Sequence, residues 1–290
     1  MERPNHSSRI ERIRRYLPYL ILGIAGVATL LMTIAFFTQY DNASNANYFK
    51  HGAVLPTVAS ILAGVTALLG SVFALLMPRG SMDSTSLPVP TASLVSAIGF
   101  LFCSIFLVLS VVRGDFDWMH ILAAVLSLVS AVYCLAVAFG NRLGNGSRTW
   151  IVPLGFAPIF TAVFLCAIHY FDSSLEMNAP IKVMLLLGLL TAMVSFTGEL
   201  RYLLGTPMPR AYFALLSWTV AAGSLSLIAL PAASLAGVIS GSDYVASSFV
   251  VFGCTLASSF RLNLLIYRTP DAPAVSETAE GETDRQETDA

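Results

Sequence analysis

The sequence predicts an all-α fold, a polytopic transmembrane helix bundle of about eight spans. Two observations lead to this prediction. Hydrophobic residues make up 56% of the 290 residues and charged residues only 11%, about half the charge density of a soluble globular domain. The hydrophobic residues also fall in long runs without the period-two alternation of a membrane barrel. Backbone groups in lipid must bond within their own segment, so each run is predicted to be a helix.

The apolar runs follow one another in eight segments, each long enough, or nearly so, for a helix to cross ~30 Å of hydrocarbon in ~20 residues. Short segments rich in Gly, Pro and Ser separate them. The first run stays apolar from Leu17 to Phe37, longer than the core of a cleaved signal peptide, so we interpret it as a retained anchor. The predicted spans are 17–38, 55–77, 92–112, 118–139, 150–170, 181–204, 211–238 and 244–267.

Basic residues at the ends of the spans predict the orientation of the chain. One side holds Arg3, Arg9, Arg12, Arg14, Arg15, Arg79, Arg142, Arg148, Arg210 and Arg268, whereas the other holds Lys50, Arg113 and Lys182. Because basic residues concentrate on the cytoplasmic side of membrane proteins, both termini are predicted to be cytoplasmic, which an even number of spans allows. We expect the protein in the plasma membrane.

The charge distribution divides the chain into three regions. A basic cytoplasmic arm at 1–16 precedes the transmembrane helical bundle at 17–268, and an acidic tail follows at 269–290. The arm is predicted to lie on anionic lipid headgroups. The tail carries seven acidic residues against one base, Arg285, and has no aromatic residue, so it is predicted to remain disordered in the cytoplasm. Docking of the tail on the arm or on a partner is the alternative.

The sixth run contains Glu199, the one carboxylate that we place within the hydrocarbon. If this helix ends near Gly205, Glu199 lies ~9 Å from its end. Arg201 cannot be its partner, because residues two apart point to different faces of a helix. Arg261 in run eight lies at a comparable depth, with Asn263 nearby, and an ion pair between Glu199 and Arg261 is one hypothesis. Alternatively, the arginines extend to the headgroups while Glu199 is protonated or hydrated.

Proline predicts interruptions in two of the helices. Pro153 and Pro158 flank Gly155 near the start of run five, and Pro231 lies in the outer half of run seven. Proline lacks the backbone donor and clashes with the preceding turn, so both helices should kink or partly unwind. Transporters use the carbonyls freed at such breaks to hold ions and polar substrates. A plain kink that shapes the bundle is the alternative interpretation.

A second polar group is predicted at the outer ends of runs four and five. Asp117 with His120, and His169 with Asp172, are each an acid and a histidine three residues apart, a spacing that places both on one helix face. Consecutive antiparallel helices bring these ends to the same surface. Histidines with carboxylates can bind a divalent metal or respond to pH. Ordinary interfacial side chains are the alternative.

The chain contains no recognisable catalytic motif. The four cysteines lie in apolar runs without metal or redox spacing. The patterns of zinc proteases, nucleophile-elbow hydrolases and phosphate-binding loops are missing, so we lean against an enzyme and expect neither a cofactor nor nucleic acid as a partner. The sequence favours a multi-pass membrane protein that assembles, senses or binds a protein partner or a second copy of itself. The alternative is a small-solute or ion transporter that uses Glu199 and the proline-broken helices.

Overall fold

The computed structural model describes residues 6–41, 48–76, 90–113, 117–139, 148–206, 208–236 and 242–267. Within these ranges, eight helical segments are long and apolar enough to cross a membrane. They are Tyr16–Thr38, Val54–Leu75, Pro90–Arg113, Trp118–Phe139, Trp150–Phe171, Pro180–Leu203, Pro209–Ala233 and Asp243–Asn263. The predicted fold class, a polytopic bundle of transmembrane helices, is confirmed.

Ten helices and one small hairpin make up the described part of the chain. The helices are α1 (His6–Thr38), α2 (Val54–Leu76), α3 (Pro90–Arg113), α4 (Trp118–Phe139), α5 (Arg148–Leu154), α6 (Ala157–Phe171), α7 (Pro180–Leu203), α8 (Pro209–Ser224), α9 (Ala229–Leu235) and α10 (Ser242–Tyr267). Two helices, α5 and α6, form the fifth span, and α8 and α9 form the seventh. The helix α1 begins within the predicted basic arm, whereas residues 1–5 and the acidic tail at 269–290 lie outside the described residues.

Proline and glycine set the ends of helix α7 and the start of α8. Both helices begin with proline, Pro180 and Pro209, whose fixed φ suits the first helical turn and whose missing N–H would have no partner there. Gly205 follows the end of α7 with φ +75°, a conformation that L side chains rarely adopt, and its N–H donates to the carbonyl of Tyr202. The sixth span therefore ends next to Gly205, as the sequence predicted.

The last two spans form the interior of the bundle. The buried share of the seventh span is 72% and that of the eighth is 67%, against 33% for the second. Helix α10 packs against α3, α7 and α8, while α2 packs against α1 and α8. Large apolar side chains such as Leu68, Leu75 and Val112 face outward, as lipid contact requires. The described helices thus form an integral membrane bundle around α8 and α10.

Small residues allow close helix contacts in this interior. Gly70 of α2 lies against Ser217 of α8, and Gly223 of α8 lies against Thr255 of α10. A Cβ atom at either glycine would overlap the facing side chain. Lipid tails compete with apolar side chains for helix surfaces, so small residues that let backbones approach are a main source of helix association in membranes.

A short antiparallel hairpin closes over one end of α1. Strand β1 (Tyr40–Asp41) pairs with β2 (Tyr48–Phe49), and Tyr40 lies opposite Phe49. The rings of Phe36, Tyr40 and Phe49 have centroids 5.1 to 5.6 Å apart. Burial in this aromatic cluster raises the pKa of Tyr40 to about 12, so its phenol stays neutral at physiological pH.

Candidate functional site

The structure places Glu199 and Arg261 in direct contact. Nη1 of Arg261 on α10 meets Oε1 of Glu199 on α7, and each residue is only 5% exposed. Tyr212 of α8 donates a hydrogen bond to the same carboxylate oxygen at 3.4 Å. Three helices therefore meet at one buried ion pair, the pair that was one of the two hypotheses for these residues.

The remaining residues of this group lie apart from the pair. Arg201 is exposed on the outer face of α7, as its two-residue offset from Glu199 predicts. Asn263 is partly buried on α10, and its Oδ1 has no hydrogen-bond partner among the described residues. Of the two arginines that were candidates for reaching the headgroups, only Arg201 faces outward, whereas Arg261 faces inward toward Glu199.

The pair lies inside one end of the bundle, which we call the pair end. Glu199 precedes the last residue of α7, Leu203, by four residues, or ~6 Å along the axis. Arg261 precedes the last residue of α10, Tyr267, by six residues, or ~9 Å. Both charges therefore sit within their spans, close to one membrane boundary.

A narrow crevice extends from Arg261 toward the middle of the bundle. It has no room for the centre of a water-sized sphere, so it is closed in this structure. Ala192 lies near the midpoint of α7 and Cys254 near the midpoint of α10. The lining residues are Ser96, Ala192, Ser195, Phe196, Cys254, Ser258 and Arg261.

Two polar atoms on the wall of the crevice lack hydrogen-bond partners among the described residues. They are Oγ of Ser96 and Nε of Arg261, and both residues are at least 95% buried. Oγ of Ser93, one turn from Ser96 on α3, also lacks a hydrogen-bond partner among the described residues. A buried polar group without a hydrogen-bond partner lowers the free energy of unfolding by roughly 1–3 kcal/mol, so such groups are uncommon in folded proteins.

The fifth span is interrupted next to the pair end. Helix α5 ends at Leu154, Gly155 and Phe156 form a turn, and α6 begins at Ala157. A Cβ atom at Gly155 would lie 2.9 Å from Cδ1 of Leu200 and 3.3 Å from Cε2 of Tyr133. Because Leu200 adjoins Glu199, the break packs directly against the ion-pair region. The prolines stand on either side: Pro153 is exposed and Pro158 is buried.

The seventh span is interrupted between Ser224 and Ala229, just before Pro231. Backbone N–H groups within the break are paired locally: Ser226 and Leu227 both donate to the carbonyl of Gly223, at 3.0 and 2.7 Å. Pro231 has no N–H to donate to the carbonyl of Leu227, four residues earlier, so the helical ladder is interrupted at that point.

His120 joins α4 to α10 at the opposite end of the bundle, which we call the histidine end. Its Nε2 lies 2.9 Å from Oδ2 of Asp243 in the first turn of α10, and its Nδ1 lies 3.7 Å from Oδ2 of Asp117. The sequence placed His120 with Asp117. The contact with Asp243, across 123 positions in the chain, was not predicted.

His169 joins α6 to the first two turns of α10. Its Nε2 lies 2.6 Å from Oγ of Ser247, and its ring is 4.7 Å from that of Tyr244. Tyr244 in turn donates to Oδ2 of Asp172 at 2.5 Å, and Nζ of Lys182 donates to the backbone carbonyl of Asp172 at 2.6 Å. With His120 of α4, four helices, α4, α6, α7 and α10, therefore meet at the histidine end through hydrogen bonds.

Asp172 lies immediately beyond the fifth span, which ends at Phe171. Partial burial alone would raise its pKa, but donation from Tyr244, and from the N–H and hydroxyl of Ser174, with the nearby charge of Lys182, holds the pKa of Asp172 below its ordinary value. The carboxylate is therefore charged over the physiological range and acts as a hydrogen-bond acceptor for the loop that follows α6.

The four predicted metal or pH-sensing residues form two separate groups. The carboxylates of Asp117 and Asp243 approach opposite nitrogens of the His120 ring, so they do not converge on one point, and His169 contacts a hydroxyl. In the part of the chain that the structure describes, no three His, Cys, Asp or Glu residues are grouped to hold a metal ion.

Several residues at the two ends of the bundle were not identified from the sequence, although the spacing of polar residues along α10 indicates that they share a helix face. Asp243, Ser247, Cys254 and Ser258 share a helix face with Arg261, a residue that the sequence did predict, since these residues recur at intervals of four, seven, four and three. This polar face connects the histidine end with the pair end. Tyr212 and Ser96 give no comparable signal, because only packing brings them to the site.

Comparison of the chain with family models, with curated proteins and with solved structures finds no match. Fold class alone does not imply function, since function depends on sites within a fold. The role of this protein therefore has to be inferred from the geometry of its two ends and of the crevice between them.

Proposed function

We propose that this integral membrane protein transports a small polar solute or ion along the interface of α3, α7, α8 and α10. The observation that supports this proposal is the buried Glu199–Arg261 pair at one end of a polar crevice that reaches the midpoints of α7 and α10. Ionisable residues within membrane spans commonly mark substrate or ion pathways, and transporters bind their substrates near the midplane of the bilayer.

Stability is a weak explanation for the pair. Removing two charges from water costs several kcal/mol for each ion, and their attraction does not reliably repay that cost. Leucine or methionine at positions 199 and 261 would pack between α7 and α10 without this cost. A pair retained inside apolar helices is therefore better explained by a function that needs charge at this place.

Polar groups continue through the middle of the bundle beyond the crevice. Thr219 of α8 is buried, and its hydroxyl lies 3.2 Å from Oγ of Ser195 and 3.1 Å from the carbonyl of Thr191 on α7. Ser247 and Ser258 lie on the face of α10 that carries Arg261. These groups give the interface of α7, α8 and α10 a polar interior that lipid-facing helix surfaces lack.

We place both termini in the cytoplasm of the plasma membrane, with the pair end on the cytoplasmic side. The support is the ten-to-three distribution of basic residues between the two sides. The basic arm would then lie on anionic lipid headgroups of the inner leaflet, at about 1 kcal/mol per basic residue. The histidine end would face outward and meet external pH.

The test of transport is flux in vesicles that contain the purified protein. Gradients of potassium, chloride and nitrate are imposed in turn, and internal pH and membrane potential are followed with dyes. We expect flux above that of empty vesicles for at least one ion, and its loss or uncoupling in Glu199→Gln. Glu176→Gln is the control, since this exposed acid lies in the loop between α6 and α7. Absence of flux for all three ions argues against ion transport along this route.

Assembly with a second copy or a protein partner is the second candidate function. The observation that favours it is that Gly23 and Gly26 of α1 are exposed with no atom near the position of an added Cβ, so another helix can approach there. The mass of the protein in mild detergent tests this. We expect Gly26→Leu to dissociate an assembly and Ile61→Leu, on the exposed face of α2, to leave it intact. A parent protein that is monomeric and purifies alone contradicts the idea.

A further inference from the structure

We propose, building on the transport function, that the crevice beside Arg261 binds a small monovalent anion and that Glu199 takes up one proton as the anion binds. The transported species is then one anion together with one proton. Three features lead to this inference: the donors that line the crevice, the charge balance of the ion pair, and the size of the enclosed space.

The wall of the crevice is rich in hydrogen-bond donors. The guanidinium of Arg261 carries only donors, and Ser96, Ser195 and Ser258 carry hydroxyls that can donate. No carboxylate or amide side chain is among the lining residues. Nε of Arg261 and Oγ of Ser96 have no partner among the described residues, so an acceptor placed between them would satisfy both. A cation there would meet the guanidinium and be repelled.

The ion pair determines the charge balance of binding. Without a ligand, the positive Arg261 and the negative Glu199 sum to zero. An anion that takes the guanidinium leaves the Glu199 carboxylate buried without a counter-ion, which is costly in the membrane interior. Adding one proton to a carboxylate oxygen of Glu199, with no other bond made or broken, returns the net charge of the site to zero. Binding of the anion and uptake of the proton are therefore linked.

Glu199 is the one proton acceptor suited to this role among the described groups around the pair. Tyr212 of α8 contacts its carboxylate, and Tyr202 of α7 packs on Tyr212 with ring centroids 5.1 Å apart. From α4, Tyr133 and Cys134 lie within reach of the charge of Arg261. From α10, Cys254 lines the crevice. Phenols and thiols are protonated at neutral pH, so they cannot accept the proton.

The enclosed space limits the size of the anion. The crevice is far smaller than the ~300–1,000 Å³ pockets of drug-sized ligands, since it does not admit even the centre of a water-sized sphere. Because the crevice has no room for a water-sized sphere here, binding also requires α3, α7 and α10 to separate slightly. A halide or nitrate needs the smallest separation of these helices, whereas a sugar acid such as gluconate needs a much larger one.

The first experiment is calorimetric titration of the detergent-solubilised protein with sodium nitrate, sodium chloride and sodium gluconate. Each titration is repeated at pH 7 in two buffers with different ionisation enthalpies, so the difference in heat counts the protons taken up. We expect nitrate or chloride to bind with about one proton each and gluconate not to bind. Glu199→Gln keeps the shape of the side chain and should bind the anion without proton uptake.

A second pair of variants tests the donors of the crevice. Ser96→Ala removes a hydroxyl proposed to contact the anion, and we expect at least tenfold weaker binding, as for loss of a hydrogen bond to a charged group. Ser104→Ala is the matched control on α3, because its hydroxyl donates to the carbonyl of Ala124 on α4, away from the crevice. Equal affinities of the two variants would show that Ser96 does not contact the anion.

The outcomes separate this inference from the transport function. Failure of nitrate and chloride to bind overturns the anion site, even if potassium flux in vesicles supports transport. Binding without proton uptake, or equal uptake in Glu199→Gln, overturns the coupling to Glu199. Binding with one proton but without flux in vesicles leaves the anion site standing and overturns transport.

Discussion

Gly99 of α3 and Gly253 of α10 bring the two helices into backbone contact. A Cβ atom at Gly99 would lie 2.7 Å from the carbonyl oxygen of Phe249 and 3.1 Å from Cα of Gly253. A Cβ atom at Gly253 would lie 3.1 Å from Cα of Gly99 and 3.1 Å from the carbonyl oxygen of Val95. The atoms in the way belong to backbone and cannot rotate aside. This crossing holds Ser96, one turn from Gly99, against the crevice.

Replacing Gly99 tests the crossing directly. We expect Gly99→Ala to lower the free energy of unfolding by about 1–3 kcal/mol, because the methyl group must push α3 from α10. Thermal unfolding in detergent measures the change. Gly64→Ala on α2 is the matched control: its Cβ meets no atom within 4 Å, and alanine favours the helix by ~1 kcal/mol. Equal melting temperatures for Gly99→Ala and the parent would contradict the close approach.

Exchanging the charges of Glu199 and Arg261 tests their pairing. Each single change, Glu199→Arg or Arg261→Glu, places two like charges together inside the bundle, and we expect a loss of at least the roughly 3–5 kcal/mol measured for breaking a buried pair. The double exchange should recover much of that loss. Arg201→Glu, on the exposed face of α7, should change stability little. Thermal unfolding in detergent measures these losses. If the loss in the double exchange equals the sum of the two single losses, Glu199 and Arg261 do not form a direct pair.

Removing the hydroxyl of Ser247 tests the contact with His169. Ser247→Ala leaves Nε2 of this buried histidine without its partner, and we expect a loss of about 1–3 kcal/mol. Ser248→Ala is the control, because that hydroxyl bonds only to the carbonyl of Val245 on its own helix. Chemical unfolding of both variants in mixed micelles compares them. A loss in Ser248→Ala as large as in Ser247→Ala would show that the helix, not the histidine contact, is affected.

Acid should weaken the histidine end through Asp172. Hydrogen bonds from Tyr244 and Ser174 outweigh its partial burial and lower its pKa in the folded protein. A lowered pKa means that the charged form stabilises the fold above the ordinary Asp range and that this stabilisation is lost as the pH falls below about 4. Asp172→Asn should therefore be less stable than the parent at pH 7, and the difference should shrink toward pH 3. A difference in melting temperature that does not change with pH would refute this.

The buried ion pair shows how far sequence reasoning reaches. Glu199 and Arg261 each lie a short distance inside a long apolar run, and a charge at such depth needs a partner or water. Matching depths in two spans were enough to suggest the pair. The turns beside Pro158 and Pro231 follow from similar local reasoning, because proline removes a backbone donor wherever it stands.

Other contacts could not be inferred in this way. His120 was grouped with Asp117 by spacing, yet its shorter contact is with Asp243 on α10. Likewise, the glycine crossing of α3 and α10 joins residues 154 positions apart, from 99 to 253. Helical spacing shows which residues share a face. It does not show which helix that face meets.

The amino-acid sequence was sufficient for the number of spans, for their limits to within about five residues and for the places where two of them are interrupted. These properties depend on hydrophobic length and backbone hydrogen bonding, which act within each segment. The choice of α10 as the interior helix, and the meeting of Ser96, Glu199, Tyr212 and Arg261 on four different helices, came only from the packed bundle. In lipid all apolar faces are nearly equivalent, so neighbours are selected by shape and close backbone contact between distant segments.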